Sequence, residues 1–304
     1  MALVHDRSFD PAYGQPVALA DGIRRITARN PGPFTFHGTN TYLVGDGELA
    51  VIDPGPDDPD HIAAILAAAG RARITAILVT HTHRDHSPGA ARLKALTGAP
   101  TIGEGPHRPA RPLKAGDEAA RLDASGDLAF KPDIALGDNG VVEGAGWRLT
   151  AVATPGHAAN HLGFALAGSS GVLFSGDHVM AWSTTIVAPP DGAMSDYMAS
   201  LDRLAARSDR LYLPGHGNPV TDPAAYVRAL KQHRLERERS ILDSIGAGRG
   251  TADEIVAAVY AGLDPALKPA AALSVLAHVE DLAARGLVLA EGGIGLASRF
   301  LPAV

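Results

Sequence analysis

Hydrophobic and polar positions alternate along the first half of the chain in short bursts. Val17–Ala20, Ile23–Ala28, Thr41–Val44 and Leu49–Asp53 read as strands. Asp21-Gly22, a Pro/Gly-rich loop and Gly45-Asp46-Gly47 separate them, and the last of these is a hairpin signal. After the Asp53–Pro56 turn the period lengthens: residues 59–69 read as a helix that Gly70 terminates. An apolar run over 75–80 predicts a buried strand. A helix over 88–97 follows, with Ser87 as N-cap and Pro88 at its first position. Residues 103–133 show no period. Pro106, Pro109 and Pro112 interleave with Arg108, Arg111 and Lys114, which predicts an insertion or loop bordering a cleft, or a solvated connector. Strand patterns resume at Val141–Glu143, Trp147–Ala153, Leu162–Leu166 and Gly171–Ser175. A helix over 195–207 puts Met198, Leu201 and Leu204 on one face, and Arg210–Leu213 forms a last strand.

Beyond Asp222-Pro223 the texture changes. Residues 223–245 form one long helical pattern, and Thr251 and Glu254 make a capping box that opens a second helix. Residues 270–285 form a third, and Leu287–Ala290 with Glu291–Gly293 suggests a small hairpin. The chain thus divides into an α/β domain over 1–222 and a small, mostly helical, winged-helix-like domain over 223–304.

At 304 residues the chain is long enough for one large and one small domain. Apolar residues make up 46% and charged residues 20%, which excludes a disordered chain. No apolar run approaches the about 20 residues that span a bilayer, and the N-terminus shows no apolar signal region, so the cytoplasm is the expected compartment. Zero cysteines exclude disulfides and thiolate metal ligands. A net charge of −6 does not mark a nucleic-acid binder, although a local basic patch is compatible with it. Nothing in the pattern specifies an oligomeric state.

The chemistry concentrates in Thr80-His81-Thr82-His83-Arg84-Asp85-His86, in the loop leaving the 75–80 strand. On extended backbone His81 and His83 point to the same side, and a turn brings in Asp85 and His86. Neutral imidazoles and carboxylates are the donors that zinc accepts. Three further loops follow apolar strands and carry such donors beside a glycine: Thr154–His157, Ser175–His178 and Pro214–Gly217. Each is weak alone, but four at strand ends support one another.

These motifs resemble the metallo-β-lactamase superfamily. His81-x-His83-x-Asp85-His86, His157, Asp177 and His216 occur in that family's order over roughly residues 17–220. The resemblance implies an αββα sandwich. It also implies one metal on His81, His83 and His157, and a second on Asp85, His86 and His216, with Asp177 bridging them. Seven donors suit two divalent ions, most simply Zn²⁺ with Mn²⁺ or Fe as alternatives, that acidify a shared water to about neutral and yield a hydroxide nucleophile. Asp85 can orient that nucleophile or shuttle its proton. Asp53 can fix a ligand imidazole or serve as a plain turn residue. Asn40, His161 and His178 are candidates to face substrate or to support the ligands.

Gly38–Val44, Ile52–Gly55, Thr154–His157 with His161, Pro214–Gly217 and the C-terminal module together look like the beta-lactamase-like protein 2 group. Some relatives there cleave single-stranded RNA, so phosphodiester hydrolysis is one expectation. Arg228, Lys231 and Arg234 would then contact phosphates, or form an ordinary solvated helix face. A glyoxalase-II-like thioesterase, or another small ester or lactone hydrolase, is the alternative. A β-lactamase is disfavoured because a major subclass uses a thiolate where Asp177 stands. A nucleic-acid-binding regulator with a vestigial hydrolase domain is disfavoured by the intact donor set. The 223 helix starts a few residues after His216, so the C-terminal module is expected to wall one side of the cleft.

Overall fold

The computed structural model describes residues 3–113, 125–168 and 171–303; Lys114 lies outside them. Seven strands form the first sheet in chain order: β1 (Val17–Ala20), β2 (Ile23–Thr27), β3 (Asn40–Val44), β4 (Glu48–Ile52), β5 (Arg73–Leu78), β6 (Thr101–Gly103) and β7 (Ile134–Ala135). The first four are antiparallel, and β4 to β7 run parallel. Helices α1 (Pro59–Ala69) and α2 (Gly89–Thr97) make the crossovers. The second sheet has the order β12-β11-β10-β9-β8, from β8 (Val141–Gly144), β9 (Trp147–Ala153), β10 (Leu162–Leu166), β11 (Val172–Gly176) and β12 (Leu211–Pro214). Helix α3 (Met194–Ala205) connects β11 to its parallel partner β12.

Period-two alternation explains the layering. Along β3 to β5, Tyr42, Val44, Ala50, Ile52, Ala76 and Leu78 point to the second sheet and pack with Leu149, Phe164 and Phe174. Their neighbours Leu43, Leu49, Val51 and Ile77 point the other way, onto Ile62 and Ile65 of α1 and Leu93 of α2. On the second sheet's outer face Val152, Leu173 and Tyr212 pack under Tyr197, Leu201 and Leu204 of α3. The result is the expected αββα sandwich.

The chain then enters α4 (Pro223–Gly246), a 24-residue helix, followed by α5 (Ala252–Val259) and α6 (Lys268–Ala284). Helix α4 serves both units. Val227 and Leu230 join the α3 cluster, while Ile241 and Ile245 join the core of α5, α6 and the hairpin β13 (Val288–Ala290) and β14 (Phe300–Pro302). The capping box forms as expected at Thr251 and Glu254.

Three local expectations are corrected. Helix α2 starts at Gly89, and no side chain caps it. Ser87 instead donates to Asp127 Oδ2 at 2.7 Å, because the 125–127 segment packs against the His motif. The expected small hairpin forms, but its loop runs on past Glu291–Gly293 to a return strand at 300–302. Of the basic residues on α4, Arg234 is buried and Lys231 pairs with Asp202 of α3, so among the described residues only Arg228 and Arg239 are exposed without such a tie.

Phe164 lies at the centre of the inter-sheet core and is fully buried. Replacing Phe164 with Ala should lower stability by about 3–5 kcal/mol, since a large void cannot collapse between two sheets. Urea denaturation of the two proteins measures it; a loss below about 1 kcal/mol contradicts the assigned packing.

Candidate metal centre

Five loops at the strand ends of the sandwich converge. The loop after β5 supplies His81, His83, Asp85 and His86; those after β9, β11 and β12 supply His157, Asp177 and His216; and the loop after β4 supplies Asp53. The metal-binding side chains fall into two groups, His81/His83/His157 and Asp85/His86/Asp177/His216, each with its donor atoms within 4.8 Å of one another.

In the first group His83 Nδ1 lies 3.0 Å from both His81 Nε2 and His157 Nε2. In the second, Asp85 Oδ2 lies 3.2 Å from His86 Nε2 and 3.1 Å from His216 Nε2. Asp177 stands between the groups: its Oδ1 is 3.5 Å from His86 Nε2, and its Oδ2 is 3.3 Å from His216 Nε2 and 3.7 Å from His157 Nε2. Donors at about 2.0–2.2 Å from one ion sit roughly 3–3.5 Å from each other, so both spacings suit a divalent metal.

Hydrogen bonding on the far side of each ring decides which nitrogen the neutral ring leaves bare. His81 Nδ1 faces Thr80 Oγ1 at 3.0 Å, and that hydroxyl already donates to Asp53 Oδ2 at 2.7 Å, so the ring must donate. His83 Nε2 donates to Asp191 Oδ2 at 2.6 Å, and His86 Nδ1 donates to Asp53 Oδ2 at 2.9 Å. His157 Nδ1 donates to the Ile186 carbonyl at 2.6 Å, and His216 Nδ1 to the Gly38 carbonyl at 3.1 Å. Each neutral ring thus carries its proton outside, and five inward nitrogens face two carboxylates. His86 Nε2, His216 Nε2 and Asp177 Oδ1 are buried and take no hydrogen bond among the described residues. Such a donor set fits a cation and little else.

Charge divides less cleanly: burial works against it, but Asp191 carries His83 of the first group above its ordinary value. Burial and the neighbouring rings hold His81 well below the usual imidazole value and His157 at about 4, so both are neutral. Burial acts downward on His216 too, but Asp177 and Asp85 outweigh it and raise the ring to about 10; His86 is likewise carried well above its ordinary value. Without metal these two rings hold protons between the carboxylates.

The supporting candidates divide. Asp53 is buried, with a left-handed φ of 51°, and also accepts from Thr80 N at 2.7 Å. It lies behind the ligands. His161 does not face the cleft: its Nε2 accepts from Asp177 N at 3.1 Å and its Nδ1 donates to Thr154 Oγ1 at 2.8 Å. His178 is buried against Tyr197, ring centroids 4.5 Å apart, and burial pushes it to about 3. Asn40 is fully buried; its Nδ2 donates to the carbonyls of Pro214 and Gly217 at 3.1 and 2.9 Å, tying β3 to the loop that carries His216. Asn40, His161 and His178 therefore brace the site from beneath, because their polar atoms point into loop backbone or the core. A methyl group on Gly215 would sit 2.3 Å from Asp177 Oδ1, so only glycine lets that loop pass the carboxylate.

Two contributors escape sequence reasoning. Asp191, on a Pro-Pro-Asp-Gly turn, orients His83. Arg234 of α4 donates to the Thr185 carbonyl, next to the Ile186 carbonyl that holds His157. The Pro-Pro-Asp-Gly run signals a turn but not its target.

A cleft of about 710 Å³ opens over the centre. His83, Asp85, His157 and Asp177 form part of its floor, and Phe34, Met180, Trp182 and Ile186 part of its walls. Leu113, Ser125 and Gly126 border it, which fits the cleft-bordering alternative for the 103–133 segment, of which residues 114–124 lie outside the described residues. Tyr260, Leu263 and Leu267 close the side belonging to the C-terminal module, which is the predicted wall.

The Metallo-beta-lactamase superfamily matches residues 34–216, and the Beta-lactamase associated winged helix domain matches 251–295. The chain is 32% identical over 282 residues to a Beta-lactamase-like protein 2 homolog of Drosophila melanogaster, covering 88% of this chain and 90% of that one. It is 33% identical over 248 residues to an atrochrysone carboxyl ACP thioesterase of Aspergillus chevalieri, covering 78% of this chain and 72% of that one. A metallo-beta-lactamase family protein from Thermus thermophilus superposes with a TM-score of 0.76 at 27% identity, over 94% of this chain and all of that one. No helix among the described residues is long and apolar enough to cross a membrane.

Two outcomes follow from this geometry. Asp53→Asn places an amide where a carboxylate accepts three N–H or O–H groups, so metal affinity should fall about 10–100-fold; competition against a fluorescent chelator reads it, and unchanged affinity contradicts the orienting role. Metal must also displace the protons on His86 and His216. Because both rings are raised, protons compete at neutral pH, and affinity should climb with pH by about tenfold per unit for each proton released. Titration at pH 6, 7 and 8 tests this; a flat profile contradicts it.

Proposed function

The chain belongs to the metallo-beta-lactamase superfamily, and from that premise we propose that it is a dinuclear hydrolase of small esters or thioesters with an apolar acyl portion. That it is a metal-dependent hydrolase is given by its family and by its His/Asp cluster. One observation supports the reading most: five inward imidazole nitrogens and two carboxylates converge beneath a cleft with apolar walls.

His81, His83 and His157 would hold one ion; Asp85, His86 and His216 the other; Asp177 both. Zn²⁺ fits the nitrogen-rich group best, and Mn²⁺ or Fe fits the carboxylate-bearing one. When bound, such ions supply Lewis acidity, lowering the pKa of a water and polarising the substrate oxygen. The chain's own residues do the rest. Phe34, Trp182, Met180 and Ile186 seat the acyl group and exclude water from it. Asp85 reaches the cleft, with 24% of its side chain exposed, against 8% for Asp177 and none for His86 or His216. It is therefore the carboxylate placed to take a proton from the attacking water. A bond forms between the water oxygen and the acyl carbon, the C–S or C–O bond breaks, and Asp85 returns the proton to the leaving group.

Two features favour a small acyl substrate over single-stranded RNA. Arg234 is buried and Lys231 is tied to Asp202, so the expected phosphate-binding row is not presented. The Aspergillus chevalieri relative is named a thioesterase.

Protein purified without chelator should carry close to two metals per chain by elemental analysis. Against a panel of acyl thioesters, nitrophenyl esters, a lactone, a chromogenic β-lactam and single-stranded RNA, the thioesters and esters should turn over fastest. Asp85→Asn should cut that turnover roughly 10²-fold or more while the three-histidine ion stays bound. Full activity with one metal, or RNA as the preferred substrate, rejects the reading.

A further inference from the structure

The cleft has a second polar feature, remote in sequence from the ligand loops. His233, Arg234 and Arg237 sit one, three and four positions apart on α4, hence on one face, and all three line the cleft. Arg237 is half-buried and pinned. One of its Nη atoms donates to the Val259 carbonyl at 2.6 Å, and its guanidinium carbon lies 4.2 Å from the centre of the Tyr260 ring. Yet no carboxylate among the described residues pairs with it. Arg234 is only 3% exposed, and it too has no carboxylate partner among them; its Nε is buried without a hydrogen bond.

Among the described residues the surroundings offer no compensation. Their acidic members lining the cleft are Asp85, Asp177 and Asp191, which all belong to the metal centre or hold its ligands. The N-terminal segment adds His5 and Arg7 to the lining, again basic. Burial, with Arg234 and Arg237 behind it, holds His233 at about 4 and His278 of α6 at about 3, so neither adds a charge. Withdrawing a guanidinium from water without a counter-ion is costly, and ordering it by stacking and a backbone bond adds to that cost. A planar, fixed fork with free N–H groups matches a carboxylate or a phosphate.

We propose that Arg237, supported by Arg234 and His233, forms an anion subsite that receives a carboxylate or phosphate carried by the substrate away from its scissile bond. This rests on the ester/thioester reading above and narrows it. Apolar Trp182, Ile186 and Leu263 lie in the same cleft, so the substrate is amphiphilic: a reactive acyl group at the metals, an apolar middle and an acidic end at α4.

The test uses the full-length, metal-loaded protein and three nitrophenyl esters of equal chain length, ending in a methyl, a carboxylate or a phosphate group. An acid-ended ester should exceed the methyl-ended one in kcat/KM by tenfold or more, mainly through KM, and the better of the two acids identifies the source of the anion. Arg237→Gln should reduce that preference about tenfold to a hundredfold. Arg237→Lys, which keeps charge but loses the fork, should retain part of it, and circular dichroism verifies that both variants are folded. No preference in the parent protein, or the same preference in Arg237→Gln, overturns the subsite while leaving the hydrolase reading intact. If none of the esters turns over, the hydrolase reading fails. The subsite is then decided by calorimetric titration with adipate and with hexyl phosphate. Tenfold weaker binding of either by Arg237→Gln supports it, and equal binding of both overturns it.

Discussion

An imidazole cannot ligate a cation through a nitrogen that carries a proton, and the architecture of this protein is arranged around where five such protons sit. Each is drawn outward by an acceptor belonging to a different part of the fold: Thr80, Asp191, Asp53, and the carbonyls of Ile186 and Gly38. The inward nitrogens are a consequence. The sandwich matters because it brings the ends of β4, β5, β9, β11 and β12 to one edge, where these acceptors and the rings can meet. Strand packing fixes backbone positions, and the acceptors then fix tautomers, which packing alone leaves free.

The same geometry ties the C-terminal module to the candidate metal centre. Arg234 reaches from α4 to the Thr185 carbonyl, one residue before the carbonyl that holds His157. Helix α4 also carries apolar residues of both cores. Its rotation or loss would be felt at a metal ligand, at the apolar wall and at the basic face together. A winged-helix-like fold has no single use, and here it closes a cleft.

What was legible in the sequence was what lies close together along it. The apolar runs along β3 to β5 showed the strands, and His81 to His86 showed the chemistry because four donors share one turn. The lone loop donors His157, Asp177 and His216 became readable through their common position after apolar strands. Illegible were the contacts made by folding. Asp191 meets His83 across 108 positions, Asn40 meets Gly217 across 177, and nothing local in either residue announces the partner. For His161 and His178 the sequence leaves open whether they face substrate or support the ligands, for a related reason. A histidine near a ligand loop looks alike whether its ring points up to solvent or down onto Thr154 and Tyr197. The basic pattern on α4 is open likewise, since periodicity gives a face but not what covers it.

Asp53 has a consequence for both halves of the centre. One of its oxygens accepts from His86 directly, and the same oxygen accepts from Thr80, which in turn receives His81. One carboxylate, held at a left-handed φ of 51°, thus sets the tautomer of a ring in each group. The two halves share a hinge of protons and are not independent vessels. A change at Asp53 is therefore felt in both groups at once, and replacing this one side chain unsettles two rings rather than one.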